Sequence, residues 1–287
     1  MIYLFLSIVI SSSLFVIFKL FEVFNINTSQ AIVVNYLFAF LTGLGLSEVT
    51  TTLYEIPYQP WFLGAVFLGG LFITVFNIMA LTSQKNGLSV ASVAGKMSVV
   101  VPILFGVVMY QESVGVIKVL GILLALVAVY LTSMRRKAIV RQREYLLYPV
   151  LLFLGSGIID TTIKFVETTY VQEGGVPLFS ATIFGIAFFL GVIMLSYQLI
   201  IQKKRFEPKS IIGGMALGVP NYFSIVFLLK ALKTDGLESS TLFTINNVSI
   251  VLLTTLFGLV LFKEQLQVKN WIGIAMAILS ILLVALV

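Results

Sequence analysis

The residues in this sequence able to do chemistry are few, and most of them stand in apolar surroundings. Lys96 lies near the middle of the apolar stretch 88–110, too deep for its stem to carry the ammonium to water. Ser89, Ser92 and Lys96 follow at i, i+3 and i+7, so a helix presents them on one face. An ionisable group at the centre of a bilayer costs about 2.5–3.5 kcal/mol on insertion scales, and it is tolerated where it faces a polar interior. There an ammonium can hold a ligand's carboxylate or phosphate. Asp160 and Lys164 stand at i and i+4 in the stretch 146–166, with Ser156 on the same face. They form either a self-satisfied ion pair, with Glu167 as a further partner for Lys164, or a coupling or gating pair. Asn35, Asn77, Asn221, Asn246 and Asn247 each offer a donor and an acceptor, for interhelical bonding or for orienting a substrate. Tyr36 and Tyr222 could line the same pocket. Lys96, Ser92, these asparagines and the two tyrosines are the candidate substrate-binding set.

Other chemistry is excluded by composition. The 287 residues include no cysteine and no histidine, which removes disulfides, thiol nucleophiles and the usual metal ligands and proton shuttles. With no paired deep carboxylates either, an enzyme is not expected, and neither a cofactor nor a metal is expected. Any proton coupling would use carboxylates or lysines. A selective channel usually needs rings from several subunits, which this chain does not suggest.

The elements that must position these groups are membrane helices. Apolar types make up 59% and charged types 10% of the sequence, far below the charge of a soluble domain. Ten apolar stretches can be marked, at 1–21, 30–47, 61–83, 88–110, 114–134, 146–166, 178–201, 210–232, 238–262 and 268–287. Each is long enough to cross a bilayer, and the runs are continuous rather than alternating, so they are helices and not barrel strands. The first stretch has no basic leader and no small-residue cleavage site, and reads as a retained helix.

The two halves repeat one another. Phe105, Gly106, Glu112 and Gly121 recur at a constant spacing as Phe257, Gly258, Glu264 and Gly273. Lys19 and Glu22 recur as Lys164 and Glu167, and Gly87-Leu88 as Gly236-Leu237. The sequence therefore divides into a first repeat, 1–137, a basic loop, 138–144, and a second repeat, 145–287. An odd number of helices per repeat makes the second copy enter the membrane from the other side. The expected fold is an all-α polytopic membrane protein, ten transmembrane helices as two inverted five-helix repeats.

These landmarks resemble the EamA-type carriers of the drug/metabolite transporter superfamily. The likeness rests on "SSSLFVIFK" in the first helix and on a proline–glycine–glutamate pattern, Pro102, Gly106 and Glu112, followed by a helix containing Gly121. The second copy keeps Gly258, Glu264 and Gly273 but has Thr254 in place of the proline. Many members carry an arginine in the second helix, where this chain has Asn35-Tyr36. The resemblance implies a carrier working by alternating access in the cell (inner or plasma) membrane. Export of an amino-acid-like or other carboxylate- or phosphate-bearing compound is the first expectation, and a sugar or quaternary amine the alternative. The partners expected are a small-molecule substrate and the lipid bilayer, with no nucleic acid; monomer and dimer stay open.

Smaller expectations concern the helix ends. Glu112 and Glu264 stand where one stretch ends and the next begins, and each is expected to cap the positive end of the following helix. Trp61 and Trp271 are expected at the membrane interface and Lys19 among lipid headgroups. Gly213, Gly214 and Gly218 are expected at a close helix contact. The basic residues concentrate in the connections after the odd-numbered stretches, 135–143 and 203–209 above all, so the positive-inside rule expects those loops in the cytoplasm and both termini outside, whereas the family resemblance implies cytoplasmic termini.

Overall fold

A computed structural model describes residues 2–46, 54–102, 104–105, 115–133, 142–172, 175–203, 205–232 and 239–285. Among these, ten α-helices carry the fold and no strand occurs. They are α1 (Ile2–Val23), α2 (Thr28–Gly45), α3 (Phe62–Lys85), α4 (Leu88–Met97), α5 (Val116–Ser133), α6 (Gln142–Tyr170), α7 (Val176–Ile200), α8 (Lys209–Leu232), α9 (Ser239–Leu261) and α10 (Val268–Ala285). A short 3-10 turn, Ile56–Tyr58, precedes α3. Six helices are long and apolar enough to cross a membrane, and the other four are shorter apolar helices. Large apolar side chains such as Leu63, Phe67, Ile212 and Val268 lie bare on their outer faces. A soluble protein does not expose apolar surface on that scale. Gly106, Glu112, Gly174, Lys204, Gly236-Leu237 and the 135–141 part of the basic loop lie outside the described residues.

Local chemistry sets the helix ends. Asn27 caps α2 by accepting the Gln30 N–H at 3.2 Å. Asn25, at φ 51°, turns the chain left-handed after α1, and the Ile26 N–H reaches back to the Phe21 carbonyl at 2.8 Å. Pro177 opens α7, where its missing N–H has no helical partner to lose. At the start of α10 the Asn270 amide accepts the Gln267 N–H at 2.8 Å.

The helices assemble as two compact units. One comprises residues 1–19, 78–158 and 223–287, the other residues 20–77 and 159–222. The chain passes from one to the other inside α1, α3, α6 and α8.

In the first unit, α5 packs on α10, and α4 on α5, α9 and α10. The α5–α10 contact is built from small residues: Gly121, Ala125, Ala128 and Thr132 face Gly273, Ala277 and Ser280, all buried. Ser280 donates to the Gly121 carbonyl at 2.7 Å, and at the other end Asn270 donates to the Thr132 carbonyl at 2.8 Å. The two helices therefore run antiparallel. A Cβ on Gly273 would fall 2.8 Å from the Thr132 nitrogen, so the backbones meet directly.

In the second unit, α2 lies against α7 in the same manner. Gly43 meets Ala181, Gly185 meets the Phe40 ring, and Gly191 meets Val33, which again fixes an antiparallel pair. Gly214 and Gly218 of α8 press against the Ala31 and Asn35 carbonyls of α2, and Gly213 against Phe21 and Ile26. This is the close contact that the glycine spacing predicts. Trp61 differs from expectation. It is buried and sits edge-on to Phe179 with ring centres 5.5 Å apart, so it is core rather than interfacial belt, whereas Trp271 is half exposed.

Candidate functional site

In the first unit the polar residues gather on α4 and around Asn246. Helix α4 begins at Gly87, whose φ of 104° is natural only to glycine. It ends ten residues later, and the cause is Pro102. Proline has no N–H to offer the Ser98 carbonyl and its ring crowds that carbonyl. The Ser98 carbonyl instead takes the Val101 N–H at 2.9 Å, a tighter turn, while the Ser98 hydroxyl donates to the Gly95 carbonyl at 2.6 Å. Gly157 of α6 packs its backbone against this break, 3.0 Å from the Ser98 carbonyl at the position a Cβ would take. Lys96 therefore sits in the last turn of an interrupted helix, half buried, where the negative end of the helix dipole favours a cation. Ser92 is buried on the same face and donates to the Ser89 carbonyl at 3.1 Å.

The N-terminus of α4 corrects one expectation. The Glu264 carboxylate does not cap the helix that follows it. It accepts the Leu88 N–H at 2.7 Å and lies 3.4 Å from the Ser89 hydroxyl, so it caps a helix in the other half of the sequence. Lys19 likewise reaches protein rather than headgroups. It donates to the Gln84 carbonyl at 2.7 Å, near the end of α3, while Gln84 returns a bond to the Phe18 carbonyl at 3.0 Å.

Asn246 is buried on α9. The Ser7 hydroxyl lies 3.2 Å from its Oδ1 and 3.4 Å from the Ser224 carbonyl, so three helices share one buried polar spot. Asn247 is half buried beside it in sequence. Ser7 and Ser224 were not singled out by the sequence. A lone serine in an apolar helix carries no spacing signal, and only its partner reveals its use.

In the second unit, Asn35 and Asn221 are both buried and bonded to each other, Asn221 Nδ2 to Asn35 Oδ1 at 3.3 Å. Tyr36 is fully buried. Its hydroxyl donates to the Phe72 carbonyl at 2.7 Å and its ring packs against Phe76 and Phe184. Asn77 donates to the Ile73 carbonyl at 2.7 Å and accepts from the Ser29 hydroxyl at 3.2 Å. Tyr222 is buried with its ring edge on Gly43. These five side chains thus join helices α2, α3, α7 and α8 to one another. Asp160 is exposed on α6 and Ser156 is half buried, while the side chain of Lys164 lies outside the description. Gln30, which no spacing in the sequence marks, is fully buried. It donates to the Arg205 carbonyl at 2.9 Å and accepts the Glu207 N–H at 2.8 Å.

Residues 147–286 match the EamA-like transporter family. An uncharacterized protein of Haemophilus influenzae is 29% identical over 284 residues, covering 96% of this chain and 94% of its own length. A solved crystal structure shares the fold with a TM-score of 0.60 at 13% identity, over 99% of this chain and 96% of its own.

Proposed function

We propose that this chain is a membrane transporter of the EamA-like type, within the drug/metabolite transporter superfamily, a reading supported by the match of residues 147–286 to that family. It moves a small organic metabolite bearing a carboxylate or phosphate, an amino-acid-like compound being the first candidate, outward across the plasma membrane. It works by alternating access of two inverted five-helix repeats. The observation that carries this reading is Lys96, a half-buried ammonium at the end of a broken helix inside an apolar stretch. An ammonium placed there can hold a substrate's carboxylate or phosphate through a charge-assisted hydrogen bond. Discontinuous helices with polar ends are the usual way such carriers hold charged substrates. The antiparallel pairing of α2 with α7 and of α5 with α10 supports the inverted repeat, because each pair joins corresponding helices of the two halves. Ser92 and the Asn246 cluster contribute substrate contacts in the first unit. Asn35, Tyr36, Asn77, Asn221 and Tyr222 frame the second, and Asp160 with Lys164 serves coupling or gating.

The test is ligand binding followed by flux. Purified protein is melted against amino acids, organic acids, sugar phosphates, neutral sugars and quaternary amines, since a ligand of the folded state raises the melting temperature by mass action. An anionic metabolite is expected to raise it. Lys96→Ala should weaken that ligand about 10- to 100-fold, as expected for a hydrogen bond to a charged group worth about 1.5–3 kcal/mol. The same compound should show saturable uptake and counterflow in liposomes. A response confined to cations or neutral sugars, or one indifferent to Lys96→Ala, rules out the anionic substrate.

A further inference from the structure

Helix α4 is a short rod whose ends are both mechanically weak. It has ten residues, it starts from a glycine at φ 104°, and at its far end Pro102 interrupts the helical ladder. Its own backbone therefore cannot set the depth or the rotation of the face that carries Ser89, Ser92 and Lys96. Something outside the helix has to do so, and the Glu264 carboxylate is placed to. One oxygen takes the Leu88 N–H at 2.7 Å, on the helix backbone, and the other lies 3.4 Å from the Ser89 hydroxyl, off the axis. A backbone bond fixes how far the rod is inserted, and an off-axis bond fixes how it is turned.

The carboxylate is itself held. The Glu264 N–H donates to the Gly258 carbonyl at 2.9 Å, and Lys263 before it adopts φ 52°. A Cβ on Gly87 would come within 2.8 Å of the carboxylate and one on Gly258 within 2.6 Å. Two glycines from distant parts of the chain thus leave just enough room for this one group. A plain N-cap needs only a serine or aspartate on the residue before the helix. Here a glutamate from a loop 176 residues away in sequence supplies the cap, and ties the end of α9 to the start of α4.

We propose that Glu264 is a positioning residue for Lys96: by holding Leu88 and Ser89 it fixes the depth and rotation of the α4 face that meets the substrate. The importance of this rests on the reading of Lys96 as a substrate contact, but its test needs no substrate. The sequence contains no cysteine, so a cysteine introduced by Lys96→Cys or Ser92→Cys is the sole thiol in the chain. Its rate of reaction with a cationic methanethiosulfonate, in the full-length protein in liposomes, reports how the α4 face is presented. Adding Glu264→Ala is expected to change the rate at both positions about fivefold or more. Glu264→Gln keeps an acceptor oxygen for Leu88 and is expected to restore most of the original rate. Tyr58→Cys, on the exposed turn before α3, should react at the same rate in every background. If Glu264→Ala cannot be purified folded, Gly258→Ala, which crowds the carboxylate without removing it, carries the same comparison. Unchanged rates at positions 92 and 96, or a change shared equally by position 58, would overturn the proposal whatever the transport assays return.

Discussion

Gln30 shows what a single buried side chain contributes. Both ends of its amide are used on one loop, through the Arg205 carbonyl and the Glu207 N–H, and Ser210 adds a bond to the Asn27 carbonyl at 3.4 Å. Gln30→Ala should release that loop, with a stability loss of about 1–3 kcal/mol for two backbone groups left to find other partners. Limited trypsin digestion of the folded protein reads this directly: cleavage after Lys203 and Arg205 is expected to speed up, while cleavage after Lys85 stays constant. An unchanged rate would mean that the loop is held by something else. Why is Gln30 not legible in the sequence, when Asn35 and Tyr36, five and six residues on, are? It stands at the first turn of a helix, where a polar residue needs no explanation, and its partners lie 175 and 177 residues away. Lys96 was legible because charge deep in an apolar run has few uses. Tyr36 and Asn77 were legible as polar but not as internally bonded, since a side chain's partner depends on helix packing that spacing does not encode.

Helices and their contacts follow different rules of legibility. The helices themselves could be read off the apolar runs, because a chain in lipid must satisfy its backbone within each segment. The break in α4 had its cause in plain view at Pro102, yet the run of apolar residues continued through it and masked the interruption. Which helix meets which was hidden, since a span that is apolar all round has no face to announce. The glycines are the exception: they mark where two backbones touch. Gly273 is the sharpest case, with the Thr132 nitrogen at 2.8 Å and the Ala128 carbonyl at 3.0 Å from where a Cβ would stand. Both are backbone atoms and cannot swing aside. Gly273→Val should therefore push α5 from α10 and cost about 1–3 kcal/mol, as overpacking usually does. Gly45→Ala is the matched control, because a Cβ there meets nothing within 4 Å. Its melting temperature should equal or slightly exceed that of the parent, since alanine gains helix propensity over glycine. If both substitutions lowered the melt alike, the packing explanation would fail.

At the scale of the whole molecule the claim to test is inversion. Repeated landmarks in the sequence suggest two copies, but apolar sequences align easily, and a repeat alone does not say which way the second copy points. The odd number of helices per copy does, and it has a geometric consequence. Corresponding helices should run antiparallel, as α2 with α7 and α5 with α10 do. Corresponding connections should then open on opposite faces of the membrane. The turn before α3 and the connection before α8 form such a pair, and both offer an exposed residue, Tyr58 and Gln202. The cysteine-free sequence again supplies the means, as single cysteines at these two positions can be labelled in intact cells with a membrane-impermeant maleimide. Lys203, Arg205 and Lys209 surround the second position, so the positive-inside rule puts it in the cytoplasm and Tyr58 outside. Tyr58→Cys is expected to react at once, and Gln202→Cys only after the membrane is opened. The reversed pattern would keep the inversion and overturn the charge argument for orientation. Labelling of both from one side would break the inversion itself, and with it the proposal of alternating access between inverted halves.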